Sequence, residues 1–228
     1  MDDLFSNFDL VLKAFGLTLG LFAVSGIASL LLGTLLAAMR VGPVSVLAKA
    51  AGFYVTVVRN TPLLMIFIFM AVALPRLGIT FKSVENISAG DVEVSSFFFR
   101  SCVALSLYTA AFVCEALRSG INAVPLGQAE AARAVGLPFT GVMTQVVLPL
   151  AIRAAVPPLA SVQIALAKNT SVAAAFGIFE AAARMKFFTN RSASDELIFL
   201  TFAIGYVLIV EVVSLFSGLL ERRWAVAR

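Results

Sequence analysis

The chain has 228 residues, of which 61% are hydrophobic and 13% charged, and its mean hydropathy is +1.00. A soluble domain carries about 25% charged residues, so a water-soluble globule is excluded and apolar runs sized for lipid are expected. The net charge of +4 comes from scattered basic residues, unlike a nucleic-acid binder, and the absence of histidine excludes a His-based triad, a His-ligated metal and a histidine proton relay.

Met1 to Asp9 carries Asp2, Asp3 and Asp9 and no basic residue, which does not fit the positive n-region of a cleavable signal peptide. An uncharged run of 26 residues, Ala14 to Met39, ends at Arg40. It exceeds the roughly 20 residues needed to cross a bilayer, so a tilted or protruding first span over 10–39 is expected. Gly16-x-x-x-Gly20 and the row Ser25, Ser29, Gly33, Ala37 offer small faces for close helix packing. A second span, 51–75, is interrupted by Arg59-Asn60-Thr61-Pro62, and a hydrophilic loop runs from Arg76 to Ser96. The third span, 97–117, contains Glu115. A polar-edged loop, 119–150, leads to the fourth span, 152–179, in which Lys168 is the one charge from Ala154 to Phe179. Glu180 to Glu196 reads as a linker with an interfacial helix and a turn, before a fifth span, 197–220, containing Glu211. The fold class expected is an all-α membrane protein with five transmembrane helices in a single domain, 1–228. Cys102 and Cys114 lie twelve residues apart on one expected helix. That is about 18 Å, beyond the roughly 7 Å a disulfide allows, so both are read as small packing residues.

Charges within the spans are costly, about 2.5–3.5 kcal/mol each near the bilayer centre, and should face protein or water. Glu115 has Arg118 one turn on as a partner, whereas Glu211 has none nearby and either pairs across helices or snorkels. Lys168-Asn169-Thr170-Ser171 and Arg59-Asn60-Thr61-Pro62 are polar bursts in apolar helices, and Pro62 frees a carbonyl one turn earlier. Together they line a polar cavity between helices or serve as interhelical hydrogen-bond glue; the residues alone leave both open.

The loop reads E-A-A-R-A-V-G-L-P-F-T-G-V-M-T-Q-V-V-L-P from Glu130 to Pro149. Helix formers from Gly127 to Val135, a stop at Gly136 and Pro138 in the first turn of a second helix predict helix, sharp turn, helix. Such an element suits docking into a groove on another protein, and an ordinary helical loop is the plainer alternative.

Glu130, Ala131, Ala132, Gly136, Leu148 and Pro149 fall in register with the E-A-A loop of ABC-importer permeases, with Val146 where the pattern has Ile, and Leu137 joins them as a candidate for coupling. R-N-T-P-L-L from Arg59, Y-T-A-A-F-V-C-E-A-L-R-S-G-I from Tyr108, P-L-G-Q-A-E-A-A from Pro125 and K-N-T-S-V from Lys168 extend the match. Over most of residues 10–220 the chain resembles the polar amino-acid permeases, among which its overall look is closest to glutamate permeases of the actinobacterial type. The resemblance implies a type I importer permease in a bacterial cytoplasmic membrane, paired with a second permease chain, two cytosolic ATP-binding-cassette ATPase subunits that carry the ATP and magnesium, and an extracytoplasmic binding protein. It implies that the Glu130 stretch couples to the ATPase. Arg59, Thr61, Pro62, Tyr108, Glu115, Lys168, Asn169, Thr170 and Ser171 are then candidates for the amino-acid path. The sequence holds no Gly-Lys dipeptide and so no phosphate loop of its own, and no catalytic or metal site is expected on it.

With five spans and the C-terminus inside, eight basic residues fall on the cytoplasmic side and seven outside, a weak bias. The outside N-terminus and inside C-terminus therefore rest on the resemblance, which puts the Glu130 loop in the cytosol. An intramembrane enzyme using Glu115 or Glu211 lacks a paired-carboxylate motif, and the five unequal spans show no inverted repeat of a secondary carrier.

Overall fold

The computed structural model describes residues 6–81, 87–89, 92–191 and 195–224. Asp2, Asp3, Lys82 and Arg228 lie outside the described residues, as does the 192–194 part of the linker. Helix α1 runs from Phe8 to Val41, with Asp9 in its first turn and Arg40 in its last, each at the helix end whose dipole it complements. It stops at Gly42, held extended ahead of Pro43. One stripe of α1 is buried: Thr18, Leu21, Ser25, Ser29, Gly33 and Ala37. It lies on α4 (Ser96–Asn122), the helix with which α1 packs most extensively. Gly33 sets that contact, since a Cβ there would stand 2.5 Å from the Val113 side chain and 2.9 Å from the Ala110 carbonyl. Ser25 donates to the Cys102 carbonyl at 3.4 Å, and both cysteines are buried free thiols. The Gly16 half of the glycine pair does not join this packing; its Cβ position faces open space.

The expected second span is two helices meeting at 102°: α2 (Ser45–Arg59) and α3 (Leu63–Arg76). The break falls on the polar burst. Pro62 has no N–H to continue α2 and stands extended before α3. The carbonyls released are met locally: the Thr61 hydroxyl donates to Val57 O at 2.8 Å, Asn60 Nδ2 to Thr56 O at 2.8 Å, and the Thr61 N–H to Val58 O at 3.2 Å. In a dry environment those bonds are what allow the chain to turn there.

A short antiparallel hairpin, β1 (Ile87–Ala89) with β2 (Val92–Val94), interrupts the otherwise helical fold in the loop before α4. Helix α5 (Leu126–Ala134) follows α4, and Phe139–Phe176 forms one long helix, α6. A short α7 (Ala181–Thr189) leads to α8 (Asp195–Trp224). α4 and α6 meet where a Cβ on Gly120 would fall 2.5 Å from the Ala151 carbonyl, and Gly205 of α8 accommodates the Phe15 ring of α1. Among the described residues four helices, α1, α4, α6 and α8, are long and apolar enough to cross a membrane, and the bent α2–α3 pair makes up a fifth crossing if taken as one span.

Two wide π-helical turns, Phe69–Ala73 in α3 and Val142–Val147 in α6, have the same cause. Each precedes a proline, Pro75 or Pro149, that cannot donate to the carbonyl four residues back and crowds it, so the preceding turn opens.

Gly33→Val should lower the thermal midpoint of the detergent-solubilised protein, because overpacking of this kind costs about 1–3 kcal/mol. Gly16→Ala should leave it unchanged or raise it, since the added methyl meets nothing. Equal effects would mean that α1 does not sit on α4 through Gly33.

Candidate functional site

The Glu130 loop folds as α5, a sharp turn and the start of α6. Val135 closes α5 and Gly136 takes φ +88°, a conformation that costs glycine nothing. The Leu137 N–H then donates to Ala132 O at 3.2 Å and the Gly136 N–H to Arg133 O at 2.9 Å. This double closure is a Schellman turn. Pro138 stands just before α6 as its cap residue, one position earlier than its expected place in the first turn. Ala132 points inward onto Val142 and Val147 of α6, with Leu137 and Val146 beside them. Ala131 and Glu130 face outward. Around Glu130 the surface is unusually apolar for a polar loop: Leu126 is 81% exposed, Val135 79% and Phe139 69%. The loop thus leaves a carboxylate and three large apolar side chains uncovered within fourteen residues. Leu148 and Pro149 lie just beyond, where α6 leaves the π turn.

The two polar bursts are not brought together. Arg59 and Asn60 line a polar cavity of about 370 Å³ with Arg40, Glu115 and Arg118. Glu115 is the hub of that cluster: Arg40 pairs with one carboxylate oxygen, while Arg118 at 3.6 Å and Arg59 at 3.8 Å approach the other. Its local partner was legible from the spacing; Arg40 and Arg59 come from other helices. Pro62 and Thr61 form the α2–α3 break. Tyr108 packs edge-tilted on Phe112, ring centroids 4.9 Å apart, beside the main apolar cluster.

Lys168 and Ser171 line a second cavity, of about 400 Å³, with Tyr206, Val207, Val210 and Glu211 of α8. Here α6 tightens into a 3₁₀ end, Thr170–Phe176, closed by Gly177 at φ +85°. The Thr170 and Ser171 hydroxyls turn back to the carbonyls of Ala167 and Lys168, each at 2.8 Å, and Asn169 is the last α-helical residue. The ammonium of Lys168 and the carboxylate of Glu211 are left exposed to the cavity, and neither joins an ion pair among the described residues. Glu211, without a partner along its own helix, thus lines the same cavity as Lys168.

One acidic residue was hidden in the expected linker. Glu180 is 0% exposed. One oxygen caps α7 by accepting the Ala183 N–H at 3.0 Å; the other accepts the Tyr206 hydroxyl at 2.6 Å and faces Thr18 Oγ1 at 3.3 Å. Burial pushes its carboxyl above the usual carboxylate range, and the Tyr206 hydroxyl and the α7 N–H groups oppose that shift. Gln163 was also passed over: its Nε2 has no hydrogen-bond partner and it lines an apolar cavity of about 620 Å³ between α1, α6 and α8.

The sequence family described as binding-protein-dependent transport system inner membrane component matches residues 29–226. The glutamate transport system permease protein GluC of Corynebacterium efficiens is 39% identical over 220 residues, covering 96% of this chain and 95% of that protein. The glutamate/aspartate import permease protein GltJ of Escherichia coli K12 is 32% identical, covering 92% and 85%. Among solved structures, an amino acid ABC transporter crystallised with histidines superposes with a TM-score of 0.84 at 25% identity, covering 97% of both chains. An inward-facing MetNI methionine ABC transporter shares the fold, with a TM-score of 0.74 at 18% identity. With an E-A-A loop folded as an outward-facing helix on a bundle of membrane-length helices, and with a family match over residues 29–226 and relatives over more than nine-tenths of its length, the chain belongs to the family of binding-protein-dependent transport system inner membrane components.

Proposed function

We propose that the chain is the permease subunit of an ATP-driven importer of amino acids, with glutamate or a related amino acid as cargo. The observation that carries this reading is α5, an exposed Glu130 surface pinned by Ala132 and a Schellman turn to the same helix that carries Lys168. In this reading a separate cytosolic ATPase pair hydrolyses ATP, docks on Glu130 and its apolar rim, and moves α6. A second permease chain completes the pore, and an extracytoplasmic binding protein delivers the cargo. The protein sits in a bacterial cytoplasmic membrane as one transmembrane domain, N-terminus outside and C-terminus inside, which puts α5 in the cytosol and α7 on the other face. The names of the relatives from Corynebacterium and Escherichia support glutamate.

A free amino acid carries one carboxylate and one ammonium. The cavity holding Lys168 and Glu211 offers one group of each opposite sign, and we assign the amino-acid path to it. The Arg59, Glu115 and Arg118 cluster is a separate cavity, with its carboxylate already among guanidinium groups.

Proteoliposomes holding this chain, its partner permease, the ATPase and the binding protein should accumulate labelled glutamate only when ATP is supplied to the ATPase side. Equilibration without ATP would make the protein a secondary carrier and overturn the reading. Glu130→Lys should cut uptake at least about tenfold, the equivalent of 1.4 kcal/mol, with the protein still folded in the membrane. Unchanged uptake would remove the coupling role from α5. Lys168→Ala should cut uptake about tenfold or more, since a charge-assisted hydrogen bond is worth about 1.5–3 kcal/mol, while ATPase co-purification stays the same. Normal kinetics would return Lys168 to a packing role.

A further inference from the structure

A helix cap needs one oxygen. Glu180 supplies that with Oε1, to the Ala183 N–H at 3.0 Å. Its Oε2 is turned the other way, taking the Tyr206 hydroxyl of α8 at 2.6 Å and facing Thr18 of α1 at 3.3 Å. The Thr18 hydroxyl in turn accepts the Ala181 N–H at 3.1 Å. One fully buried carboxyl therefore joins three helices distant in sequence. A short serine or aspartate would cap α7 as well without bringing a carboxylate out of water, so capping alone does not account for glutamate here.

The group it holds is placed to matter. Tyr206 is half-buried and lines the same cavity as Lys168, Ser171 and Glu211. Its ring also meets Phe15 of α1 edge-on, centroids 6.0 Å apart. With Phe15 against the ring and Glu180 on the hydroxyl, the rotamer of Tyr206 is fixed at both ends. Without the hydroxyl's partner, only apolar packing on Phe15 and the Phe188–Phe202 cluster holds the ring in place.

We propose that Glu180 is a positioning residue for transport: it anchors the Tyr206 hydroxyl and so fixes the aromatic wall of the Lys168–Glu211 cavity, tying that wall to α1 and α7. This rests on the assignment of the amino-acid path to that cavity. Glu180 itself, wholly buried, does not touch the cargo; it acts through Tyr206.

The test uses the reconstituted full complex and reads labelled amino acid transported per ATP hydrolysed, with binding protein present. Glu180→Gln keeps the size but leaves one acceptor oxygen where the carboxyl offers two, and Tyr206→Phe removes the hydroxyl alone. Each should lower the ratio severalfold, because a loose wall lets ATP cycles run without productive passage. The double variant should be no worse than the poorer single one, within about twofold, as expected for two groups acting through one contact. A residue needed only for stability would lower the yield of complex and leave the ratio unchanged, and that result would overturn the proposal, as would full additivity. Lys168→Ala is measured alongside. If it impairs transport while Glu180→Gln and Tyr206→Phe keep the wild-type ratio, the positioning role alone fails. If all three behave as wild type, the cavity assignment fails and takes the proposal with it.

Discussion

Inside a bilayer nothing but protein can pair a backbone amide or keep a polar side chain from hydrocarbon, and lipid offers helices little hydrophobic reason to associate. Close approach must come from shape. The α1–α4 contact meets that constraint with small residues: Gly33 admits Val113, Ser25 reaches the Cys102 carbonyl, and Ala37 lies against Ala111 and Cys114. Gly120 does the same between α4 and α6, and Gly205 between α8 and the Phe15 ring. The remaining faces of α1 and α8 stay apolar and uncovered, Leu31 at 69% and Val212 at 67% exposure, as lipid or a second chain requires. The buried small stripe thus fixes the frame on which both cavities and α5 are hung.

Within that frame the polar residues divide by task. Thr61, Asn60, Thr170 and Ser171 spend their hydrogen bonds on carbonyls of their own helix, which lets α2 stop and α6 tighten at those points. The charged residues do not: Lys168 and Glu211 face one cavity, and Glu115 gathers three arginines in another. Helix breaking and charge presentation occur at the same places because an unwound end is where a charged side chain can reach a polar cavity.

Much of this was legible in the sequence. Apolar run lengths gave the helices, and the row Ser25 to Ala37 marked the buried face of α1, because a period of 3.6 residues survives in any environment. Gly136 announced its turn, since positive φ leaves few other choices. What was not legible is tertiary. A proline in an apolar run frees a carbonyl, but the 102° bend at Pro62 depends on where α3 packs. Spacing gave Glu115 its neighbour Arg118 and could not give Arg40, 75 residues away. Glu180, between two spans in a polar stretch, looked like a surface linker; its burial depends on α1 and α8 closing over it, and no local pattern records that.

The continuity of α6 has a mechanical meaning. From Phe139, at the exposed surface where we propose the ATPase docks, to Lys168, on the cavity wall, the chain is one helix of about 43 Å at 1.5 Å per residue. α5 is fastened to its first turns through Ala132, Val142 and Val147, so a push on Glu130 is a push on the short arm of a lever. The shaft has two compliant points, the π turn ahead of Pro149 and the Pro157–Pro158 pair, each of which interrupts the hydrogen-bond ladder. In the coupling we propose, a tilt at one end reaches the other through both, without any segment of α6 having to unfold.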